Sequence, residues 1–352
     1  MISQEQLIVS LVLGLVMFGT YLPAAGLYTF YERKVSAWMQ NRYGPNRVGP
    51  KGYFQFVADG VKFFLKEDII PDYVNKPVYL IAPALVMVPA LIVFSAIPIG
   101  MSFTWNGQLV NLQVTDLNVG VLFLLAVGSL GVYGIVLGSW ASNSKYPLFG
   151  GLRASAQMIS YELALGLSVV TVVLITSNSA GNPLSLLTIV DHQTEYWFGI
   201  IPKWNLFANP LAFVIFLVTS YAETNRLPFD LAEAEQELVG GYHTEYSSMK
   251  FAMFTLGEYM NMITMSMFTV VLFLGGWHFP GIEVIPSQAL SVIVSIGVFA
   301  VKVLFFAFLF ILVRWTLPRF RYDQLMVLSW KVLLPVALAN TFATAVWLVV
   351  VP

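Results

Sequence analysis

The chain has 352 residues, of which 58% are hydrophobic and only 11% are charged, whereas soluble globular domains carry about 25% charged residues. This composition excludes a soluble enzyme, a nucleic-acid-binding protein and a disordered chain, and the net charge of −1 gives no sign of a polyanionic partner. The absence of cysteine excludes disulfides, thiolate zinc sites and iron–sulfur ligation by this chain, and we expect no metal site.

Eight apolar segments predict membrane-spanning helices, since a spanning helix needs about 20 mostly apolar residues. Their approximate ranges are 6–31, 77–100, 119–141, 154–178, 207–222, 251–275, 288–313 and 327–350. The fifth segment is the shortest. The first lacks the basic start and the cleavage site of a signal peptide, so we expect it to be retained. The predicted fold class is all-α: a polytopic membrane protein with about eight transmembrane helices, forming a single membrane domain over residues 1–352.

The distribution of lysine and arginine predicts the orientation of these helices. Of the 18 such residues, 16 fall in or beside the loops that follow the first, third, fifth and seventh segments. Lys203 alone lies in an even-numbered loop, and Lys302 lies inside the seventh segment. The positive-inside rule therefore predicts that the odd loops are cytoplasmic and that both termini lie outside.

The first odd loop, residues 32–76, combines a turn-rich stretch with an amphipathic segment. Residues 42–52 contain two Gly-Pro pairs and three cations, which favour an irregular backbone. Over residues 53–66, polar side chains that include Asp59 and Lys62 recur at helical spacing opposite an apolar face, which predicts a helix lying on the membrane surface. One interpretation is an anchor on anionic lipid. The other is that loop and helix frame a lateral portal for an amphipathic substrate.

The loop at residues 223–250 has the opposite charge, with six acids and two cations. If residues 231–238 are helical, Glu233 and Glu237 lie one turn apart on the same face, where like charges repel. A solvated acidic face that binds a basic partner is one explanation. The alternative is a set of partly buried, coupled carboxyls whose pKa values are raised, so that they exchange protons.

Three ionisable residues lie inside predicted spans: Glu162 in the fourth, Glu258 in the sixth and Lys302 in the seventh. An ionisable side chain in a membrane helix is a functional candidate, because its desolvation costs at least about 2.5–3.5 kcal/mol. A structural ion pair inside the bundle is the alternative for each of them. Together with the acidic loop, the two glutamates form a row from the membrane surface towards the interior.

Four stretches of the chain resemble a known family. They are Glu32-Arg33-Lys34, Arg42–Gly52, Ala222–Tyr246 and Arg319–Met326. These stretches resemble the membrane subunit of respiratory complex I that is designated H in bacteria and numbered 1 in mitochondria, and the resemblance extends over essentially the whole chain. It implies a subunit that links the electron-transfer arm to the proton-pumping membrane arm of a proton-translocating NADH:quinone oxidoreductase.

The resemblance also implies which residues carry the function. Quinone binding is expected at Arg42, Asp59, Lys62, Arg226, Phe229 and Asp230. A carboxylate path that couples quinone reduction to proton movement is expected at Glu162, Glu223, Glu233, Glu235, Glu237 and Glu258. The chain is expected to act only as part of the enzyme, not as a catalyst by itself.

The same resemblance implies cofactors, partners and location. We expect no cofactor on this chain, quinone as the substrate, and NADH, FMN and iron–sulfur clusters on partner subunits. The expected partners are the soluble quinone-site subunits, adjacent membrane subunits and membrane lipid, with no nucleic acid. The expected location is the bacterial inner membrane, with an organelle inner membrane as the other possibility. Competing hypotheses are the equivalent subunit of a ferredoxin-fed or hydrogenase-type complex, a stand-alone ion transporter, and an inert anchor for a soluble arm.

Overall fold

A computed structural model describes residues 4–105, 108–177, 181–197, 201–233, 235–282 and 285–350, with side chains except those of 4–10, 105, 108–109, 201 and 235–236. Within these ranges, seven helical segments are long and apolar enough to cross a membrane. They are α1 (Gln4–Met39), α3 (Lys76–Phe94), α4 (Gly120–Ala141), α5 (Lys145–Thr176), α10 (Ser248–Phe273), α11 (Gln288–Thr316), and a last segment made of α12 (Tyr322–Val327), a π-helical stretch (Leu328–Leu333) and α13 (Leu334–Val350). The all-α polytopic fold class is confirmed.

The fifth predicted span forms a shorter helix, α8 (Pro210–Glu223). Its 14 residues extend about 21 Å, less than the roughly 30 Å of a bilayer's hydrocarbon core. The side chain of Asn209 accepts a hydrogen bond from the backbone N–H of Ala212 and so caps the helix start. This segment is apolar, but it is too short to span the membrane as one straight helix.

Short elements connect the spans. They are α2 (Gln55–Leu65), α6 (Leu186–His192), α7 (Asn205–Ala208), α9 (Glu235–Leu238), two 3-10 turns (Pro50–Gly52 and Gly241–His243), and the strands β1 (Phe103–Trp105), β2 (Gln108–Val110), β3 (Tyr196–Trp197) and β4 (Ile201–Pro202). The strands form two antiparallel hairpins, in which Thr104 pairs with Leu109 and Trp197 pairs with Ile201.

Two helix boundaries differ from the prediction in a way that affects the site. Helix α1 continues to Met39, so Glu32 lies inside the helix rather than at its end. Helix α5 begins at Lys145, so Glu162 lies 17 residues into it instead of about two turns. Charged residues end the apolar runs in the sequence, but charge does not stop a helix whose backbone bonds are satisfied. Pro147 is tolerated because the first helical turn leaves its N–H groups without intrahelical partners.

Close helix packing brings the first half of the chain around α10. A Cβ atom on Gly134 of α4 would lie 2.9 Å from the carbonyl oxygen of Ala82 on α3, so only glycine permits this approach. Tyr21 of α1 stacks on Phe94 of α3 with ring centroids 4.1 Å apart. The Tyr21 hydroxyl lies 2.6 Å from Oγ1 of Thr264 on α10. These contacts hold α1, α3, α4 and α10 as one packed body.

The buried lysine of α11 has a structural environment. Lys302 Nζ donates to three backbone carbonyls at the end of α10, those of Leu274, Gly276 and His278, at 2.7, 2.9 and 2.7 Å. It also lies 4.8 Å from the Trp204 ring centroid. Because the last carbonyls of a helix have no intrahelical partners, Lys302 acts as a cap for α10, and its charge faces the negative end of the helix dipole.

Candidate functional site

The site is built around one glutamate that pairs with two arginines. Arg226 Nη2 donates to Oε2 of Glu32 at 3.0 Å, and Arg314 donates to the other oxygen of the same carboxylate. The Glu32 side chain is only 7% exposed and that of Arg226 13%. This cluster ties α1, α11 and the loop after α8 together inside the protein.

Arg226 is held in its charged form by its surroundings. Its guanidinium carbon lies 4.7 Å from the Tyr259 ring centroid, and its Nε lies 3.2 Å from Sδ of Met262. Burial alone would lower the pKa of Arg226, but the negative charge of Glu32 beside it raises that pKa well above its usual value. The arginine predicted to contact quinone is therefore a fixed positive charge at the centre of the bundle.

Asp230 and Phe229 lie next to this centre. Arg319 Nη2 donates to Oδ2 of Asp230 at 2.9 Å, while Oδ1 is buried with no hydrogen-bond partner in the described structure. Burial and the nearby charge of Glu233 raise the pKa of Asp230 to about 6, against the opposing effect of Arg319. Phe229 is a buried packing residue, with its ring centroid 5.3 Å from that of Tyr161.

A second group of acids joins the loop to α10. His243 Nε2 lies 3.2 Å from Oε1 of Glu233, and the Tyr242 hydroxyl donates to Oε1 of Glu258 at 2.7 Å. The carboxyl groups of Glu233 and Glu258 are in hydrogen-bond contact with each other. Because an ionised carboxylate only accepts hydrogen bonds, this contact requires a proton on one of the two. The pair is therefore built to hold a shared proton.

The neighbours of Glu233 keep its own negative charge accessible. Burial would raise the pKa of this carboxyl, but the hydrogen bond from His243, together with the charges of His243 and Arg226, lowers it. Glu233 lies in a turn before α9, not on a helix with Glu237, so the predicted repulsion one turn apart does not arise.

Glu162 and Glu223 form a third group. They line a cavity of about 40 Å³ together with Asn261 and Thr264, a volume sufficient for a water molecule. Oε2 of Glu223 is buried, and no described residue hydrogen-bonds to it. This cavity offers several polar partners to a bridging water.

Helix α10 connects the second group to the third. Glu258 and Asn261 are three residues apart and so lie on the same helix face. Glu162 also borders a larger cavity of about 570 Å³ that is otherwise apolar and is walled by α4, α5 and α13. The acids thus follow one another from Glu233 through Glu258 and Glu223 to Glu162, with polar side chains between them.

The other predicted residues lie outside this centre. Arg42 is exposed, and its Nε donates to Gln40 at 2.6 Å. Asp59 pairs with Arg33 at 2.7 Å and lies 3.9 Å from Lys62, whose side chain is 74% exposed. These residues belong to the surface around α2.

Two further acids stand in α9. Glu237 is exposed and accepts a hydrogen bond from Arg153 at 2.6 Å. The side chain of Glu235 lies outside the described part of the chain.

An apolar cavity of about 500 Å³ lies between α1, α10 and α11. Its lining residues are Thr20, Tyr21, Ala24, Leu27, Tyr28, Phe30, Tyr31, Tyr53, Phe94, Ile99, Ile263, Met267, Ile296, Phe299, Ala300, Val303, Leu304 and Ala307. Tyr53 precedes α2, and its ring centroid is 5.2 Å from that of Phe30. Tyr28, which lines the cavity, makes an edge contact with Tyr259 at 5.7 Å between centroids. The cavity therefore extends from lipid-facing residues to the neighbourhood of Arg226.

Sequence reasoning misses several residues of this site. It identifies Glu32 only as part of a charged motif, and it uses Arg314, the partner of Glu32, and Arg319, the partner of Asp230, only to orient the helices. A signal exists for Glu32 and Arg314: each lies within or at the end of a long apolar run, where an ionisable residue needs a partner.

Comparisons with known proteins agree over nearly the whole chain. The family model described as NADH dehydrogenase matches residues 11–345. A membrane-arm relative from Koribacter versatilis, named as a subunit of NADH-quinone oxidoreductase, is 48% identical over 354 residues, 97% of either chain. The corresponding protein of Cytophaga hutchinsonii is 46% identical, again over 97% of both chains. That of Protochlamydia amoebophila is 50% identical over 92% of each chain.

Proposed function

The chain belongs to the NADH dehydrogenase family, together with these NADH-quinone oxidoreductase subunits, and from that premise we propose that it couples quinone reduction to proton translocation as the corresponding subunit. The observation that carries this proposal is the row of buried acids beside a fixed positive charge. The protein acts within the enzyme and supplies part of the quinone chamber.

Quinone binding is supported by the apolar cavity and by its position. A quinone carries a long apolar tail and a small polar head, and a cavity with apolar walls suits the tail. Tyr28 and Tyr259 lead from this cavity to Arg226, whose charge orients a polar head group. Arg42, Asp59 and Lys62, on the surface around α2, would border the access route. Phe229 and Asp230 would complete the wall near the head group.

Proton coupling is supported by the shared proton of Glu233 and Glu258. Reduction of a quinone to a quinol takes up two electrons and two protons. The electrons come from iron–sulfur clusters on partner subunits, which also hold FMN and bind NADH. Uptake of protons changes the charge near Asp230 and Glu233. Because coupled carboxyls share protons, this change shifts the proton occupancy of Glu258, Glu223 and Glu162 in turn. Glu235 and Glu237 would lie at the loop end of the same path.

The proposal also covers partners and location. Soluble quinone-site subunits would dock on the odd loops, where 16 of the 18 lysines and arginines lie. Adjacent membrane subunits would face Glu162 through the lateral cavity walled by α4, α5 and α13. The multi-pass helices would reside in a bacterial inner membrane.

Glutamine substitution tests the carboxylate path, since glutamine keeps the shape of the side chain but cannot titrate. In the purified complex in liposomes, Glu223→Gln and Glu162→Gln should assemble normally and lose proton pumping, with quinone reduction falling as well. Glu67→Gln, at an exposed glutamate of the first odd loop, is the matched control. Full rates and an unchanged proton-to-electron ratio in both buried variants would leave only the anchoring hypothesis.

Filling the apolar cavity tests the quinone assignment independently. Ala300 lines the cavity, whereas Ala289 on the same helix is exposed and does not line it. Ala300→Phe should raise the KM for a long-tailed quinone about tenfold and leave a short-tailed analogue nearly unaffected, and Ala289→Phe should change neither. Equal effects of Ala300→Phe on both quinones would contradict a tail-binding cavity.

A further inference from the structure

A second large cavity lies at the even-loop end of the molecule, among the loop residues that neither the acids nor the quinone cavity use. It has a volume of about 860 Å³ and is bounded by the end of α5, the loop from α6 to α7 and the last turns of α13. Charged, amide and aromatic side chains all contribute to its wall. This mixture is typical of a ligand site rather than of a packing defect.

The cavity contains one ion pair of opposite charges. Lys203 Nζ lies 2.6 Å from Oε2 of Glu195, and the Glu195 side chain is 59% exposed. A surface ion pair of this kind is weak, so each partner can turn towards a ligand at little cost. The site therefore offers one positive and one negative group side by side.

Two buried polar atoms in the cavity wall lack partners. Nδ1 of His192 and Oδ1 of Asn205 are both buried, and neither hydrogen-bonds to any residue that the structure describes. Burial lowers the pKa of His192, so its ring is neutral at pH 7. Buried polar groups are nearly always hydrogen-bonded, and these two are therefore positioned for a ligand that carries polar hydrogens.

The chemistry of the wall selects the ligand class. Asn205 Oδ1 and the Glu195 carboxylate both accept hydrogen bonds, so they call for a donor with several N–H groups. Lys203 calls for an anion a few ångströms away. A phosphoethanolamine group carries an ammonium with three donors next to a phosphate. A phosphocholine group has the same charges but no N–H.

The cavity also adjoins lipid. Only 11% of the apolar window of the last spanning segment is buried, and Trp347, which lines the cavity, is 64% exposed. Trp197 lines the opposite wall. Tryptophans are enriched where membrane meets water. We propose that this cavity binds the head group of a phosphatidylethanolamine molecule, with its ammonium on Glu195 and Asn205, its phosphate on Lys203 and His192, and its acyl chains along α13.

Photocrosslinking on the intact complex tests this site. A phosphatidylethanolamine with a photoactivatable diazirine on its acyl chain is incorporated into liposomes with the complex, and labelled peptides are mapped by mass spectrometry. Label is expected on peptides that contain Trp197 or Trp347. Unlabelled phosphatidylethanolamine should compete for it about tenfold better than phosphatidylcholine with the same chains, because only the former donates N–H bonds.

Paired variants separate a specific site from general lipid contact. The double variant Glu195→Gln/Lys203→Gln should lose about nine-tenths of this label, since both charged hydrogen bonds are removed, and quinone reduction should confirm that it assembles. Asp116→Asn, at an exposed acid of another even loop, should keep the label. Equal competition by phosphatidylcholine, full labelling of the double variant, or crosslinks from these peptides to another membrane subunit instead of lipid would each overturn the proposal.

Discussion

The hydroxyl of Tyr242 lies 2.7 Å from Oε1 of Glu258, so a residue of the acidic loop is bonded directly to a carboxyl inside a membrane helix. Burial raises the pKa of Tyr242 well above its usual value, and the hydroxyl therefore keeps its proton and acts as a donor. Any movement of the loop changes the hydrogen bonding of Glu258. This bond is a mechanical and electrostatic link between the quinone chamber and the membrane path.

Removing that hydroxyl should weaken the coupling without preventing assembly. Tyr242→Phe deletes one hydrogen bond to a charged or proton-sharing carboxyl, worth about 1 kcal/mol, and we expect quinone reduction to fall about fivefold. Tyr133→Phe, at an exposed tyrosine of α4, is the matched control. Unaltered turnover in Tyr242→Phe would show that the link does not limit the reaction.

Glu32 should be required for the stability of the protein within the complex. Glu32→Gln leaves the buried Arg226 without its negative partner, which costs about 3–5 kcal/mol. Arg314 adds less, because a third of its side chain is exposed. The measurement is the temperature at which the detergent-solubilised complex loses this chain on a native gel. The double variant Glu32→Gln/Arg226→Gln should recover part of the loss, whereas a double variant less stable than either single variant would rule out charge pairing as the cause.

The arrangement around Glu32 illustrates what one sequence can and cannot predict. The spans are predictable because a long apolar run has few alternatives to a membrane helix. The motif resemblance selects Glu223, Glu233 and Glu258, and the structure brings them close to one another. However, Glu32 meets partners 194 and 282 residues away in the chain. Hydropathy reports that a residue is buried, but it does not report which helix faces it.

The same limit explains the helix ends and the lysine of α11. Hydropathy places the end of α1 at the charged residues 32–34, but ion pairs inside the protein allow the helix to continue to Met39. Lys302 is a functional candidate in the sequence because it is a charge in an apolar run. Its actual partners are backbone carbonyls, which every residue possesses and which therefore leave no sequence signal.

Asp230 should give the quinone reaction a step near pH 6. Its carboxyl is protonated below that pH and is charged and paired with Arg319 above it, since its pKa is raised to about 6. Because the pKa in the folded protein is the higher one, this group stabilises the fold below about pH 4, and that contribution is lost as the pH rises through 6.

We expect the rate of quinone reduction to fall as the pH decreases through 6, because the ion pair with Arg319 is lost. Asp230→Asn should keep the lower rate at every pH and lack the step. A pH–rate profile of the reconstituted complex from pH 5 to 8 measures this. An identical step in Asp230→Asn would assign the titration to another group.

Lys302 should matter for stability and not for pumping. Lys302→Met removes three hydrogen bonds from a charged donor to the end of α10, at a cost on the order of 3 kcal/mol. The chain should dissociate from the complex at a lower temperature, with an unchanged proton-to-electron ratio in the complexes that remain. Lys331→Met, at an exposed lysine, is the control. A stable Lys302→Met complex with a reduced ratio would instead make Lys302 a proton carrier.

The absence of cysteine allows a direct test of orientation. Single cysteines at Asp116 and Ser287, both exposed in even loops, should react with an impermeant maleimide in intact cells. Cysteines at Lys51 and Lys145, both exposed in odd loops, should react only after the membrane is opened. Reaction of an odd-loop and an even-loop cysteine from the same side would contradict the predicted topology.

The short helix α8 has an electrical consequence. It covers about 21 Å of a hydrocarbon core of roughly 30 Å, and Glu223 is its last residue. At this end the protein's own loop, and not lipid, occupies the remaining depth. A proton that reaches Glu223 through the loop has therefore already crossed a fraction of the transmembrane voltage. Each 100 mV across the whole membrane opposes a unit charge by about 2.3 kcal/mol, so protonation of Glu223 should become harder as the membrane potential that pumping creates increases.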